Sequence, residues 1–182
     1  LNTLVRNVDA HLENYRITEA SREMVDFVDD LSNWYVRRSR ERFWGKGMAG
    51  DKEAAFATLY HILETMSRLT APFTPFMAEN MYRNLVCSVD KDAPISVHLT
   101  DFPVCDASMI DPELEENMKA LLSVVMQGRA ARAESGMKVR QPLAKMLVSG
   151  ASFPESLCEL AEDELNVKGV EFTGDTAAFM TY

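Results

Sequence analysis

The sequence has 182 residues, 47% of them apolar and 26% charged, with a formal net charge of -9. These values fit one ordinary globular domain, or one domain with a small appendage, and they exclude a disordered chain. The longest apolar runs are far too short to span a membrane, and Cys87, Cys105 and Cys158 lack the spacing of a zinc site or a disulfide framework.

In chain order, Leu1, Leu4, Val5, Val8 and Leu12 form the stripe of a first helix, broken at Glu13–Arg16. Thr18 reads as the cap of a second helix, whose stripe runs Ala20, Met24, Phe27, Val28, Leu31, Trp34 and Tyr35. Gly45, Gly47 and Gly50 make a loop. Asp51 reads as the cap of a third helix with Ala55, Leu59, Ile62, Leu63, Met66 and Leu69 inward. Thr70–Pro75 stops that helix, and Thr74 with Pro75 starts a fourth that runs to about Val86. A loop rich in Asp, Ser and Pro follows, with a short extended piece at Ser96–Leu99.

Asp111-Pro112-Glu113 is a strong start signal for a fifth helix, with Leu114, Met118, Leu121, Leu122 and Val125 as its stripe and Ser135-Gly136 as its end. Gly128 and Arg132 continue the inward line, and a glycine there predicts close helix packing. Beyond this point Lys145–Ser149 and Val167–Phe172 read as short strands, with a helix from Pro154 to Asp163 between them. The predicted fold is mainly α: a helical bundle over 1–136, its helices antiparallel, followed by a small α/β appendage over 137–182.

Charge is unevenly spread. Trp34–Lys46 carries Arg37, Arg38, Arg40, Arg42 and Lys46 against Glu41. Gln127–Lys145 carries Arg129, Arg132, Lys138, Arg140 and Lys145 against Glu134. Each window is +4, so the remainder is -17. An acidic body with two basic islands repels polyanions in general and attracts one locally.

On a wheel of about 100° per residue centred on Leu31, Arg38 and Arg42 fall within about 20° of the buried face. They are predicted to be structural arginines, with packed stems and paired heads. Arg37 and Arg40 point away, open either to phosphate or to plain solvation. Trp34 is read as core. Trp44 lies about 140° from the core face, where base stacking and packing under the glycine loop both remain open.

No catalytic or metal-binding constellation is visible. His11, His61 and His98 are dispersed, and there is neither a GxxxxGK[ST] nor a GxGxxG loop. A helical interaction bundle whose islands bind an acidic protein is the reading from another class; a small enzyme has no support.

Three stretches together carry a family resemblance. LSNWYVRRSRERFWG (31–45) resembles the arginine-rich helix end of isoleucyl-tRNA synthetases. APFTPFMAENMY (71–82) resembles a helix start shared among related class I synthetases. GMKVRQPL (136–143) resembles GIKVRQPL of the isoleucyl enzymes, with Met137 as a volume-conserving change. SVHLTDFP (96–103) and DELNVKGVEF (163–172) match the same family's pattern in the same order.

The resemblance implies an anticodon-binding bundle followed by the start of a junction region. It implies tRNA(Ile), through its anticodon stem and loop, as partner, together with the catalytic domains of the same chain. Arg37, Arg40, Trp44, Lys46, Lys138 and Arg140 are the candidate tRNA-binding residues. The HIGH and KMSKS signatures do not occur, so this stretch is expected to bind no cofactor and to make no aminoacyl-adenylate, ATP and Mg belonging to the full-length ligase. The same module of a valyl, leucyl or methionyl enzyme is the near alternative, against which KVRQPL argues. A monomer, a cytoplasmic setting and no membrane are expected, and the start without Met predicts a segment of a longer protein.

Overall fold

Leu4, Val5 and Val8 of the first predicted helix close against Ala20 and Met24 of the second and Met66 and Leu69 of the third, so the apolar stripes meet as one core. We describe the protein from a computed structural model, over residues 1–47 and 50–174. The chain divides into two compact units, Leu1–Ile110 and Asp111–Tyr182.

The first unit contains α1 (Asn2–Glu13), α2 (Ile17–Asp30), α3 (Arg40–Trp44), α4 (Gly50–Thr70) and α5 (Pro75–Tyr82). The α1–α2 turn places Tyr15 at φ +57°, and the Arg16 amide donates to the His11 carbonyl at 2.8 Å, closing the end of α1. Pro75 opens α5 with Thr74 ahead of it, as the sequence predicts, although the Thr74 side chain makes no capping bond. Behind α5, Ala71, Ala78, Tyr82 and Val97 form a second small core.

Several local expectations are corrected. The residue before α2 is Arg16, without a side-chain cap, and Thr18 lies inside the helix. Asp51 likewise lies inside α4, where its carboxylate binds Arg42 instead of capping. Val28 is on the surface, and so is Leu114 in the second unit. Ser96–Leu99 holds not an extended piece but a 3-10 turn over Val97–Leu99, because the Glu79 carboxylate gathers the Ser96 hydroxyl at 2.8 Å and the Val97 amide at 2.9 Å. Two stretches wind as π-helix, Leu31–Val36 after α2 and Arg83–Cys87 after α5.

The second unit contains α6 (Pro112–Glu134), β1 (Met146–Ser149), α7 (Glu155–Leu165) and β2 (Val170–Thr173). Asp111 caps α6 as predicted, its carboxylate accepting the Leu114 amide at 3.0 Å. β1 and β2 pair in parallel, Met146 opposite Val170 and Val148 opposite Phe172, and the crossover that parallel pairing requires is α7. Phe153 is buried edge-on to Phe172 with ring centroids 5.0 Å apart.

Gly128 marks a close approach, but of a side chain rather than a backbone: a Cβ there would stand 2.5 Å from Cδ1 of Leu165. This meeting seats α6 on α7. The two compact units divide at Ile110, ahead of α6.

Candidate nucleic-acid interface

The arginine-rich segment begins in the π-helical stretch Leu31–Val36 and ends in α3. Aromatic packing and polar bonds moor it to the start of α4. The Tyr35 ring meets Phe43 at 6.5 Å between centroids, and Phe43 meets Phe56 at 5.0 Å. The Tyr35 hydroxyl donates to the Ala55 carbonyl at 3.3 Å. Lys52 donates to the Gly45 carbonyl at 2.7 Å, closing the end of α3.

The four arginines have different surroundings. Arg42 grips Asp51 with two prongs, Nε to Oδ2 at 2.8 Å and Nη2 to Oδ1 at 2.7 Å, and also reaches the Asp51 carbonyl at 3.2 Å. Hydrogen bonding to Arg42 holds the Asp51 carboxyl below its ordinary range, and the same bond raises the arginine. Arg38 is half-buried, its guanidinium 5.4 Å from the Trp34 ring centroid, and Trp34 is half-buried beneath it. Arg37 and Arg40 are exposed. Nε of Arg37 donates to the Asn33 carbonyl at 2.8 Å.

Trp44 is 79% exposed. The Arg40 guanidinium lies 5.6 Å from its ring centroid. Two Trp–Arg pairs, each four residues apart on the helix, thus bracket the segment. Trp34–Arg38 lies partly inward and Arg40–Trp44 lies in solvent. Lys46 is exposed in the loop just beyond. At the other end of the segment, burial raises the Asp30 carboxyl, helped by the like charges of Asp26 and Asp29.

The basic island of the second unit is smaller than its sequence. Arg132 is only 4% exposed. Its guanidinium donates to four carbonyls: Lys138 and Gln141 at 3.0 Å each, Leu165 at 2.6 Å and Asn166 at 3.1 Å. Arg129 pairs with the buried Glu164 carboxylate, and Lys145 pairs with Glu171. Lys138 and Arg140 stay exposed on the loop.

That loop is held from behind. Asn166, at φ +50°, donates its side-chain amide to the Val139 carbonyl at 3.1 Å. With Arg132 on the carbonyls of residues 138 and 141, the loop turns its acceptors inward and its side chains outward. The sequence puts Arg132 on an inward line, yet its charge counts with the basic island. Its four acceptors lie up to 34 residues away, so no local pattern announces them. Asn166 escapes sequence reasoning for the same reason.

Among the described residues no group of three or more His, Cys, Asp or Glu is arranged to hold a metal ion. No described helix is long and apolar enough to cross a membrane. His11 is occupied by Glu23 at 3.0 Å, linking α1 to α2, and Cys158 is buried in the second unit, where burial pushes its thiol up. What the exposed groups offer is planar guanidinium, ammonium and an open indole, the set that suits phosphate and unpaired bases.

Comparison with known proteins agrees with this chemistry. A family model described as the anticodon-binding domain of tRNA ligase matches residues 1–147, a span that includes both basic islands up to Lys145. A protein named isoleucine–tRNA ligase from Clostridium novyi (strain NT) is 48% identical over all 182 residues, which make up 18% of its length. One of the same name from Dehalococcoides mccartyi is 52% identical over 175 residues, 93% of this chain and 17% of that protein. An isoleucine–tRNA ligase 2 of Bacillus cereus is 42% identical over 186 aligned positions, covering 100% of this chain and 17% of its own. The chain spans less than a fifth of the length of these relatives.

Proposed function

The chain belongs to the anticodon-binding domain family of tRNA ligases, and we propose that it holds the anticodon stem and loop of tRNA(Ile) for an isoleucine–tRNA ligase. The observation that carries this reading is the moored arginine segment. Arg42, through Asp51, and the ring of Phe43 against Phe56 fix it to α4, while Arg37, Arg40, Trp44 and Lys46 are exposed. Arginine forks and the lysine meet backbone phosphates, which position the RNA. Lys138 and Arg140 form a second basic pair on the loop that Arg132 holds.

The acidic remainder of the chain restricts attraction to these sets. Chemistry on the amino acid then falls to the catalytic domains of the same longer chain, with ATP and Mg bound there. The ligase works as a monomer in the cytoplasm. The names of the relatives favour isoleucine over the valyl, leucyl and methionyl alternatives.

The test is binding of tRNA(Ile) and of a non-cognate tRNA at several salt concentrations. Affinity falls as salt rises, because neutralised phosphates release counterions. Arg37→Ala/Arg40→Ala weakens binding and lowers the salt slope by about one unit for each phosphate that is no longer neutralised. An unchanged affinity and slope in the double variant would remove these arginines from the interface. Preference for an acidic protein over tRNA would replace the reading with a protein-interaction surface.

A further inference from the structure

We propose that the open face of the Trp44 indole is a stacking site for one unpaired nucleobase, backed on its other face by the Arg40 guanidinium. The proposal rests on the RNA-binding reading above and deepens it.

An indole that is 79% exposed gains little from burial in this fold. What organises it is Arg40, one turn earlier on the same helix and 5.6 Å from the ring centroid. The helix itself is held by Phe43, which packs between Tyr35 and Phe56. The ring is therefore positioned from behind and open in front. Trp34, with Arg38 at a similar distance, supplies the contrast: the same pairing is half-buried there and cannot receive a base.

The surroundings select the kind of occupant. Exposed Arg37, Arg40 and Lys46 favour a polyanion over an apolar protein surface. A flat aromatic face takes the flat face of a base with little regard to its identity. Paired bases in a stem are stacked on one another and present only edges, so the site requires an unpaired base. The indole carries no charge to set against a phosphate. Its contribution to affinity is thus independent of salt, which separates it from the arginines.

The experiment uses the 182-residue chain and two RNAs, the anticodon stem-loop of tRNA(Ile) and the same stem as a blunt duplex. Trp44→Leu weakens binding of the stem-loop by about tenfold, leaves the duplex unaffected, and leaves the salt slope at its original value. Trp44→Phe keeps most of the affinity. In a Trp34→Phe background Trp44 is the sole tryptophan, and its fluorescence is quenched by the stem-loop but not by the duplex. The thermal midpoint of Trp44→Leu matches that of the parent, since the side chain lies in solvent.

Stem-loop binding by Trp44→Leu equal to the parent's overturns the stacking site while leaving the phosphate reading intact. An equal loss for both RNAs also overturns it, and makes Trp44 a support for Arg40. A parent chain that binds neither RNA overturns both readings.

Discussion

Cδ1 of Leu165 stands 2.5 Å from where a Cβ at Gly128 would be, and its Cδ2 stands 3.0 Å away. α6 and α7 thus meet across the width of one missing methyl group. Adding that methyl to a packed site costs about 1–3 kcal/mol, offset by the gain of about 1 kcal/mol for alanine over glycine in a helix. Gly128→Ala is expected to lose about 1 kcal/mol net. Leu165→Ala alone opens a cavity and costs about 2–5 kcal/mol. In the Leu165→Ala background the sign of Gly128→Ala reverses to neutral or stabilising. Urea melts of the four proteins in this cycle measure it.

Arg132→Met is expected to destabilise the second unit by about 3 kcal/mol or more, because it strips a buried guanidinium from four carbonyls at once. Arg140→Ala, on the exposed outer side of the same loop, stays within about 0.5 kcal/mol. Hydrogen exchange gives the local readout. In Arg132→Met the amides of residues 138–141 exchange faster, whereas in Arg140→Ala they keep the parent's protection.

Arg38→Ala is expected to lower the urea midpoint more than Arg37→Ala or Arg40→Ala does. Arg38 loses its stem packing and its seat over Trp34, together worth about 1 kcal/mol. The two exposed arginines fall within about 0.5 kcal/mol of the parent. Equal midpoints would show that the inward and outward faces of this segment are energetically alike.

Acid sensitivity should trace in part to Glu79. The Ser96 hydroxyl, followed by the Val97 amide, favours its ionised form against a partly opposing burial, so its carboxyl is held below the ordinary value of 4.5. A carboxyl depressed in the folded state contributes its full stability above 4.5. That contribution is lost as pH falls through the lower folded value. Glu79→Gln keeps the shape and an acceptor oxygen but not the charge. Its stability should therefore fall less steeply with pH than the parent's below 4.5. Parallel melts from neutral to strongly acidic pH read the difference, and identical slopes would remove Glu79 from the account.

The chain is expected to show no isoleucine-dependent exchange of pyrophosphate into ATP, since neither HIGH nor KMSKS occurs in its sequence. Exchange above background in a preparation free of host ligase would contradict this.

The helices are legible in the sequence because their signals are local. A stripe repeats every turn, and Asp111 and Pro75 stand where a helix begins. Partnerships across sequence distance are not legible. Thr18 and Asp51 have the chemistry of caps, but Asp51 is taken by Arg42, and α2 begins ahead of Thr18. Ser96–Leu99 alternates like a strand, yet the Glu79 carboxylate draws it into a turn. Arg129 and Lys145 count with the basic island until Glu164 and Glu171 are placed beside them, and the inward position of Arg132 does not foretell the four carbonyls that it meets.

The π-helical winding of Leu31–Val36 has a consequence for how this surface is aimed. Hydrogen bonds that skip one residue further than in an α-helix let the backbone hold a surplus residue without breaking. A single deletion inside that stretch would let it wind as ordinary α-helix and leave the residues after it near their present bearing, because the wider turn has already absorbed the surplus residue. Arg40 and Trp44 would keep their direction, and Phe43 its slot between Tyr35 and Phe56. The same deletion in the α-helical winding just upstream would instead turn everything after it by about 100° about the axis, so the bearing of the exposed indole tolerates a lost residue at one place in the helix and not at its neighbour.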